Sequence, residues 1–295
     1  MKLLIFGKDG QVGRCLLDEL KLQNINHIAF SKHEADITNR TKVNDIVKKH
    51  KPSIVINAAA YTKVRDAEKN VNDAYKINKD AVGNIAVACK KNNANLIHIS
   101  TDYVFDGISK SPYKTSSPPN PINVYGETKL AGEEEIKKHN FNFIILRTSW
   151  VFSEYGDNFV KNILDIAKSR NTLSIVCDQF GAPTYAGDLA KGLIILSSKF
   201  NRGVTREIYH MSGGPSCSWY EFAETIFRTS YSSGMIKKLP KLIPVLTKNY
   251  DDTFKRPTYT VLDCRKYFDE FKIPSYRWED SLDYVIKNLN IANNL

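Results

Sequence analysis

The chain lacks the features that mark secreted, metal-stapled or membrane-spanning proteins. Its five cysteines (Cys15, Cys89, Cys177, Cys217, Cys264) are scattered, with no Cys-x-x-Cys and no clustering with the six histidines. That excludes a disulfide framework and a structural zinc. No apolar run approaches the roughly 18 residues of a membrane span, and the opening MKLLIFGKDG reaches Gly7 and Lys8 too soon for a secretory core. A cytoplasmic protein without a membrane partner is therefore expected. No internal repeat or low-complexity tract is present. The net charge of +10 comes from lysines spread in twos and threes, at 48–51, 90–91, 137–138 and 237–238, not from one basic stripe. This argues against nucleic acid and suits a small anionic substrate.

What is present is alternation. Short apolar runs, KLLIF (2–6), HIAF (27–30), SIVINA (53–58), NLIHIS (95–100) and NFIILR (142–147), are separated by helix-length segments. Strands with little polar alternation belong to a parallel sheet covered on both faces. The expected fold class is α/β: a doubly wound parallel sheet, Rossmann-like, over residues 1–205, with LSIV (173–176) as a further strand. After about residue 205 the texture turns to isolated elements among Gly and Pro. Residues 206–295 are read as a smaller C-terminal α+β substrate domain, with the segment 151–170 reaching into it.

FGKDGQVG places Gly7, Gly10 and Gly13 between the first strand and an apolar-periodic helix. Glycine allows a tight turn, and the helix start offers unpaired N–H groups and a positive dipole end to a pyrophosphate. The Gly-x-x-Gly-x-x-Gly spacing resembles the short-chain dehydrogenase/reductase superfamily. At the end of the second strand, FSKHEAD has Ser31 and Lys32 where an acid would select NAD, with Lys8 nearby. Their charge favours NADPH; Glu34 as the discriminating acid would favour NADH. Asp36 reads either as the superfamily's adenine-contacting acid or as a helix-entry cap.

Tyr125 and Lys129, in NVYGETKLAG, lie four apart and share a helix face. An ammonium beside a phenol favours the phenolate and eases proton delivery. Tyr75 and Lys79 have the same spacing, but lie in a helix patterned for packing, and are read as surface and packing residues. The pair at 125 and 129 is distinguished by Thr101, in STDYVFDG at the end of an apolar strand, where active groups in such sheets gather. Its hydroxyl can donate to a carbonyl oxygen as charge develops.

Taken in order, FGKDGQVG, VINAAAYT, STDYVFDG, NVYGETKLAGE, RTSWVF, GDNFV, DQFGAPT and RPTY resemble the dTDP-4-dehydrorhamnose reductase family across nearly the whole chain. The resemblance implies NADPH-dependent reduction of the C4 ketone of a dTDP-linked 6-deoxy-4-keto sugar, with Thr101, Tyr125 and Lys129 catalytic. It implies cofactor contacts from Gly7, Gly10, Gln11, Val12, Gly13, Ser31, Lys32, Asp36, Ala58, Ala59, Ala60, Tyr125 and Lys129. It further implies substrate contacts from Thr101, Asp102 and Tyr103, an apolar wall at Trp150, hydroxyl bonds from Asn158 and Asp102, and a diphosphate fork at Arg256. For Trp150 core packing, and for Arg256 a surface position, are the plainer alternatives.

The chain departs from the family in having Arg65 where an acid is common. Cys15 and Gly187 stand where some members place magnesium-binding acids, so no metal is expected. A homodimer is left open. A nucleotide-sugar epimerase or another ketosugar reductase would use the same Tyr-Lys pair. A non-catalytic regulator resembling the methionine adenosyltransferase regulatory subunit would keep STDYVFDG without turnover. The absence of an acid after Asp102, where Tyr103 stands, counts against a 4,6-dehydratase.

Overall fold

The computed structural model describes residues 1–139, 141–203, 205–249 and 254–293. In chain order the first half contains β1 (Leu3–Phe6), α1 (Gln11–Leu22), β2 (His27–Phe30), α2 (Arg40–His50), β3 (Ile54–Asn57), α3 (Val71–Tyr75), α4 (Ala81–Lys91), β4 (Asn95–Thr101), α5 (Val124–Lys137) and β5 (Phe143–Thr148). The second half contains β6 (Val151–Phe152), α6 (Phe159–Ala167), β7 (Thr172–Val176), β8 (Phe180–Gly181), β9 (Thr184–Tyr185), α7 (Ala186–Ser197), β10 (Arg206–His210), β11 (Cys217–Ser218), α8 (Trp219–Ser232), β12 (Lys241–Val245), α9 (Arg265–Phe271) and α10 (Trp278–Asn293).

Six strands form one parallel sheet in the order β10-β5-β4-β3-β1-β2. The five strands expected from the apolar runs are all in it, and β1, β3 and β5 are buried along their whole length, as a doubly covered sheet demands. One face packs against Val43, Ile46 and Val47 of α2, Val82, Ile85 and Ala86 of α4 and Ile136 of α5. The other packs against Leu16 and Leu20 of α1 and Leu189, Leu193 and Leu196 of α7. A third cluster joins Phe152 and α6 (Val160, Ile163, Leu164) to α8 (Phe222, Ile226, Phe227) and α10 (Leu282, Val285, Ile286).

Two strands fall elsewhere than the sequence pattern suggests. β7, expected beside the main strands, pairs with β12 in a separate two-stranded ladder; its exposure alternates, so only one face is covered. The sixth strand of the main sheet is β10, beyond residue 205, paired with β5. Its Arg206, Glu207 and His210 break the apolar run, which a strand at the sheet edge tolerates. The helix carrying Tyr75 and Lys79 is also interrupted, by a π turn over Lys76–Asp80. That turn points Asn78 inward, where it bonds the backbone of Tyr61 and the Thr128 hydroxyl.

α5 is fixed to the sheet by a buried ion pair. Arg147 of β5 donates through Nε and Nη2 to the two oxygens of Glu133, at 2.9 and 2.7 Å, and the Ser100 hydroxyl of β4 donates to the same carboxylate at 2.6 Å. Both charged side chains are essentially inaccessible. Removing Arg147 leaves Glu133 buried with only the Ser100 hydroxyl and a Lys137 ammonium at 3.9 Å. Arg147→Met should therefore destabilise the fold by about 3–5 kcal/mol, read from the shift in urea midpoint; a change under about 1 kcal/mol would show that the pair is not structurally required.

Candidate active site

The strand order reverses direction at β1 and β3, and in open α/β sheets the crevice beyond the carboxyl ends at such a point is where ligands bind. Gly7 leaves β1 at φ +91, and a Cβ there would meet the backbone of Ala58 and Ala59 at 2.6–2.8 Å. A Cβ on Gly13 would meet the Gly7 carbonyl oxygen at 2.1 Å. The loop is thus folded tightly on itself and against the end of β3. Gly10 caps α1 without a side-chain hydrogen bond, so the first N–H groups of that helix are not capped by it and face a cradle too narrow for side chains. Beside it, Ala58, Ala59 and Ala60 form a half-buried apolar shelf, with Val12 also half-buried at the helix start. The residues present fit a dinucleotide.

At the end of β2, Ser31 and Glu34 bond each other reciprocally: the Ser31 N–H donates to Glu34 Oε2 at 2.7 Å and the Glu34 N–H to Ser31 Oγ at 3.2 Å. Lys8 donates to Glu34 at 2.8 Å. The Lys8 bond, followed by the Ser31 backbone bond, holds the Glu34 carboxyl down at about 2. An acid already engaged by a lysine and a backbone N–H is a poor ribose acceptor, and Lys32 stays exposed beside it, which suits a phosphate. Lys8 itself is committed to Glu34. Asp36 accepts from both the N–H and the hydroxyl of Thr38 at 2.9 Å. These bonds hold its carboxyl below the usual range, while the cap of α2 is Asn39.

The catalytic candidates converge at the end of β4. Asn123 caps α5, accepting from the Gly126 N–H at 2.9 Å. A Cβ at Gly126 would meet the Tyr103 carbonyl oxygen at 2.2 Å; a glycine here lets the helix start press against the turn that follows Thr101. The Tyr125 and Tyr103 rings meet edge to face with centroids 5.6 Å apart. Burial raises the Tyr125 phenol above its ordinary range, opposed by a hydrogen bond from Thr101.

Among the described residues, the hydrogen bonds of Lys129 go elsewhere than to the Tyr125 phenol. Lys129 Nζ, buried, donates to the Ile99 carbonyl at 2.7 Å and lies 3.4 Å from His98 Nε2. Burial lowers its pKa to about 8, opposed by Glu133. His98, which is buried and whose charged form is disfavoured first by burial and then by Lys129, also lies 3.1 Å from the Asn57 amide. The buried Asn57, His98, Glu133 and Asn78 were not singled out by sequence reasoning. For Asn57 and His98, polar residues inside the apolar strand runs VINA and LIHIS were the available signal.

The substrate-side candidates divide. Trp150, at φ +46, stacks on Trp219 with centroids 3.5 Å apart and planes 9° from parallel. Both rings are half-buried, so Trp150 packs and still presents surface. Trp219 was missed; its signal was the capping box that opens α8, Ser218 with Glu221.

Asn158 is engaged within the fold. It caps α6, accepting from the Lys161 N–H, and its amide donates to Gln11 Oε1, the Ser153 carbonyl and the Tyr155 carbonyl. Gln11, expected at the cofactor, also accepts from the Ser153 hydroxyl at 3.0 Å. Asp102 is likewise turned inward, 2% exposed, accepting from the Thr101 hydroxyl at 3.0 Å. Helix capping and burial claim these polar groups first. Arg256 is half-buried over the Phe254 ring, at 5.3 Å, in a loop whose Lys255 carbonyl accepts from Asn123 at 3.1 Å. Among the described residues no group of three His, Cys, Asp or Glu is placed to hold a metal, and no helix is long and apolar enough to cross a membrane.

The sequence profile of the family described as the RmlD substrate binding domain matches residues 1–291. The chain is 41% identical over 288 residues to the dTDP-4-dehydrorhamnose reductase of Aggregatibacter actinomycetemcomitans, covering 96% of this chain and 98% of that protein. It superposes with a TM-score of 0.90 on a dTDP-4-dehydrorhamnose reductase of Clostridium acetobutylicum, at 36% identity, covering 98% and 99% of the two chains. With the dTDP-4-dehydrorhamnose reductase of Bacillus anthracis, solved in complex with NADP, the TM-score is 0.88 and the identity 37%, over 97% and 99%. By sequence and by fold, the chain belongs to the RmlD substrate binding domain family, among relatives that are dTDP-4-dehydrorhamnose reductases.

Proposed function

We propose that the chain reduces the C4 ketone of dTDP-4-dehydro-6-deoxy-L-mannose to dTDP-L-rhamnose with NADPH, Tyr125 acting as general acid. The observation that carries this reading is the Tyr125 ring held edge to face on Tyr103, in the turn that directly follows Thr101 at the carboxyl edge of β4, the same sheet edge that carries the glycine loop. The activity of the Aggregatibacter relative and the NADP of the Bacillus anthracis structure support it. NADPH, when bound, supplies hydride to the carbonyl carbon. Gly7, Gly10 and Gly13 would hold the pyrophosphate against the α1 N-terminus, and the exposed Lys32 would take the phosphate that distinguishes NADPH.

Tyr125 holds the proton. Its raised pKa keeps the phenol loaded throughout the neutral range, and the alkoxide left by hydride addition is a strong enough base to take that proton. Thr101, whose hydroxyl donates to Asp102 in the structure, stabilises the same oxygen when that proton turns to the cleft. Lys129, still mostly charged at neutral pH, adds positive charge beneath the cleft. The half-exposed Trp150 offers the sugar an apolar wall, and Arg256 a planar fork for the diphosphate. A reductase drawing on reduced nicotinamide is read as working in the cytoplasm.

Tyr125→Phe should lower kcat by about 10²–10⁴-fold, followed as loss of reduced-nicotinamide absorbance with the dTDP-ketosugar generated in situ, while NADPH affinity is kept. Equal rates would remove the general-acid role. Gly13→Ala, whose Cβ needs space filled by the Gly7 carbonyl, should weaken NADPH binding by at least about ten-fold in a fluorescence titration. Unchanged affinity would place the pyrophosphate elsewhere.

A further inference from the structure

Asp102 is a carboxyl buried behind the Thr101 hydroxyl. It opens the 3₁₀ turn Asp102–Val104 directly after Thr101 and is 2% exposed. Oδ1 accepts from Thr101 Oγ1 at 3.0 Å; Oδ2 is buried without a well-formed hydrogen bond, and the Thr260 hydroxyl of the C-terminal loop acts on the carboxyl. Thr101 Oγ1 also accepts from the Tyr103 N–H at 3.2 Å and lies within reach of the Tyr125 phenol. One hydroxyl proton thus has two competing destinations, the Asp102 carboxylate behind it and the cleft in front.

We infer that Asp102 is a positioning residue whose protonation state decides which way the Thr101 hydroxyl points. The inference rests on the reductase reading for its catalytic meaning. With Asp102 ionised, Thr101 donates backward to Oδ1 and only its lone pairs face Tyr125, so it cannot stabilise a developing oxyanion. With Asp102 protonated, Oδ1 becomes a weak acceptor, the carboxyl keeps its own proton, and Thr101 turns its O–H toward the cleft. No proton leaves the Asp102–Thr101 pair in this exchange; only the direction of donation changes.

The groups facing Asp102 are Tyr125 from α5, Tyr103 from its own turn and Thr260 from the C-terminal loop, none of them cationic. Burial, the largest cause, raises its pKa to about 6, opposed by the Thr260 and Thr101 hydroxyls and by the backbone N–H groups of Asp102 and Tyr103. A carboxyl raised this far is neutral below that pH and charged above it.

The rate of ketone reduction, read in kcat with KM unchanged, should therefore fall as pH rises through about 6, by roughly ten-fold or more. In Asp102→Asn, which does not titrate, that limb should vanish. A second measurement needs neither cofactor nor substrate. In infrared difference titration, a protonated-carboxyl band should disappear near this pH in the wild type, be missing in Asp102→Asn, and persist to higher pH in Thr101→Val, which removes a bond to the carboxylate. Survival of the limb in Asp102→Asn, or a band unmoved by Thr101→Val, would overturn the inference. A protein inactive on the ketosugar would instead refute the reductase reading, while the infrared titration still decides whether Asp102 and Thr101 are coupled.

Discussion

The arrangement depends first on the Arg147–Glu133 pair. Tyr125, Lys129 and Glu133 recur every four residues along one face of α5. Glu133 is the anchor of that series: it is held by Arg147 of β5 and Ser100 of β4, the two strands whose ends frame the site. Desolvating both ions costs several kcal/mol each, and only a bidentate geometry with a further donor offsets it. Arg147 Nη1 has no hydrogen-bond partner, but the guanidinium carbon lies 5.2 Å from the Phe105 ring centre, which contributes about 2 kcal/mol when desolvated. The pair therefore does more for the placement of α5 than for bulk stability, and it supplies the negative charge that moderates the fall in Lys129 basicity.

A second layer of placement comes from amides that serve as helix caps and as ties between distant segments. Asn158 caps α6 and holds Gln11 at the start of α1. Asn123 caps α5 and donates to the Lys255 carbonyl of the C-terminal loop. In each case one oxygen satisfies the helix and one N–H reaches across the fold. The two helix starts nearest the crevice are thus each coupled to the part of the chain that carries the substrate-side candidates.

Much of the fold was legible because buried parallel strands leave an unbroken apolar run. The five runs named from the sequence are strands of the main sheet, whereas β10 was hidden by the polar residues an edge strand permits. The glycine loop, Thr101 and Tyr125 were legible because their positions follow from the topology of a doubly wound sheet. What was not legible was the direction of polar side chains. Asp102 and Asn158 lie in segments lining the site, yet face inward. Lys129 shares a helix face with Tyr125 but is drawn to the Ile99 carbonyl, because which acceptor wins depends on the end of a strand thirty positions away. Spacing determines which groups share a face; it does not determine which partner a long side chain reaches.

The distribution of tryptophan has an optical consequence. All three tryptophans, Trp150, Trp219 and Trp278, belong to the third apolar cluster, and two of them are stacked in contact. The parallel sheet that seats the cofactor contains none. Indole emission from this protein is thus a local signal from the α6–α8–α10 layer. Loosening of that layer alone is visible through these chromophores, while loosening confined to the sheet passes without an indole signature.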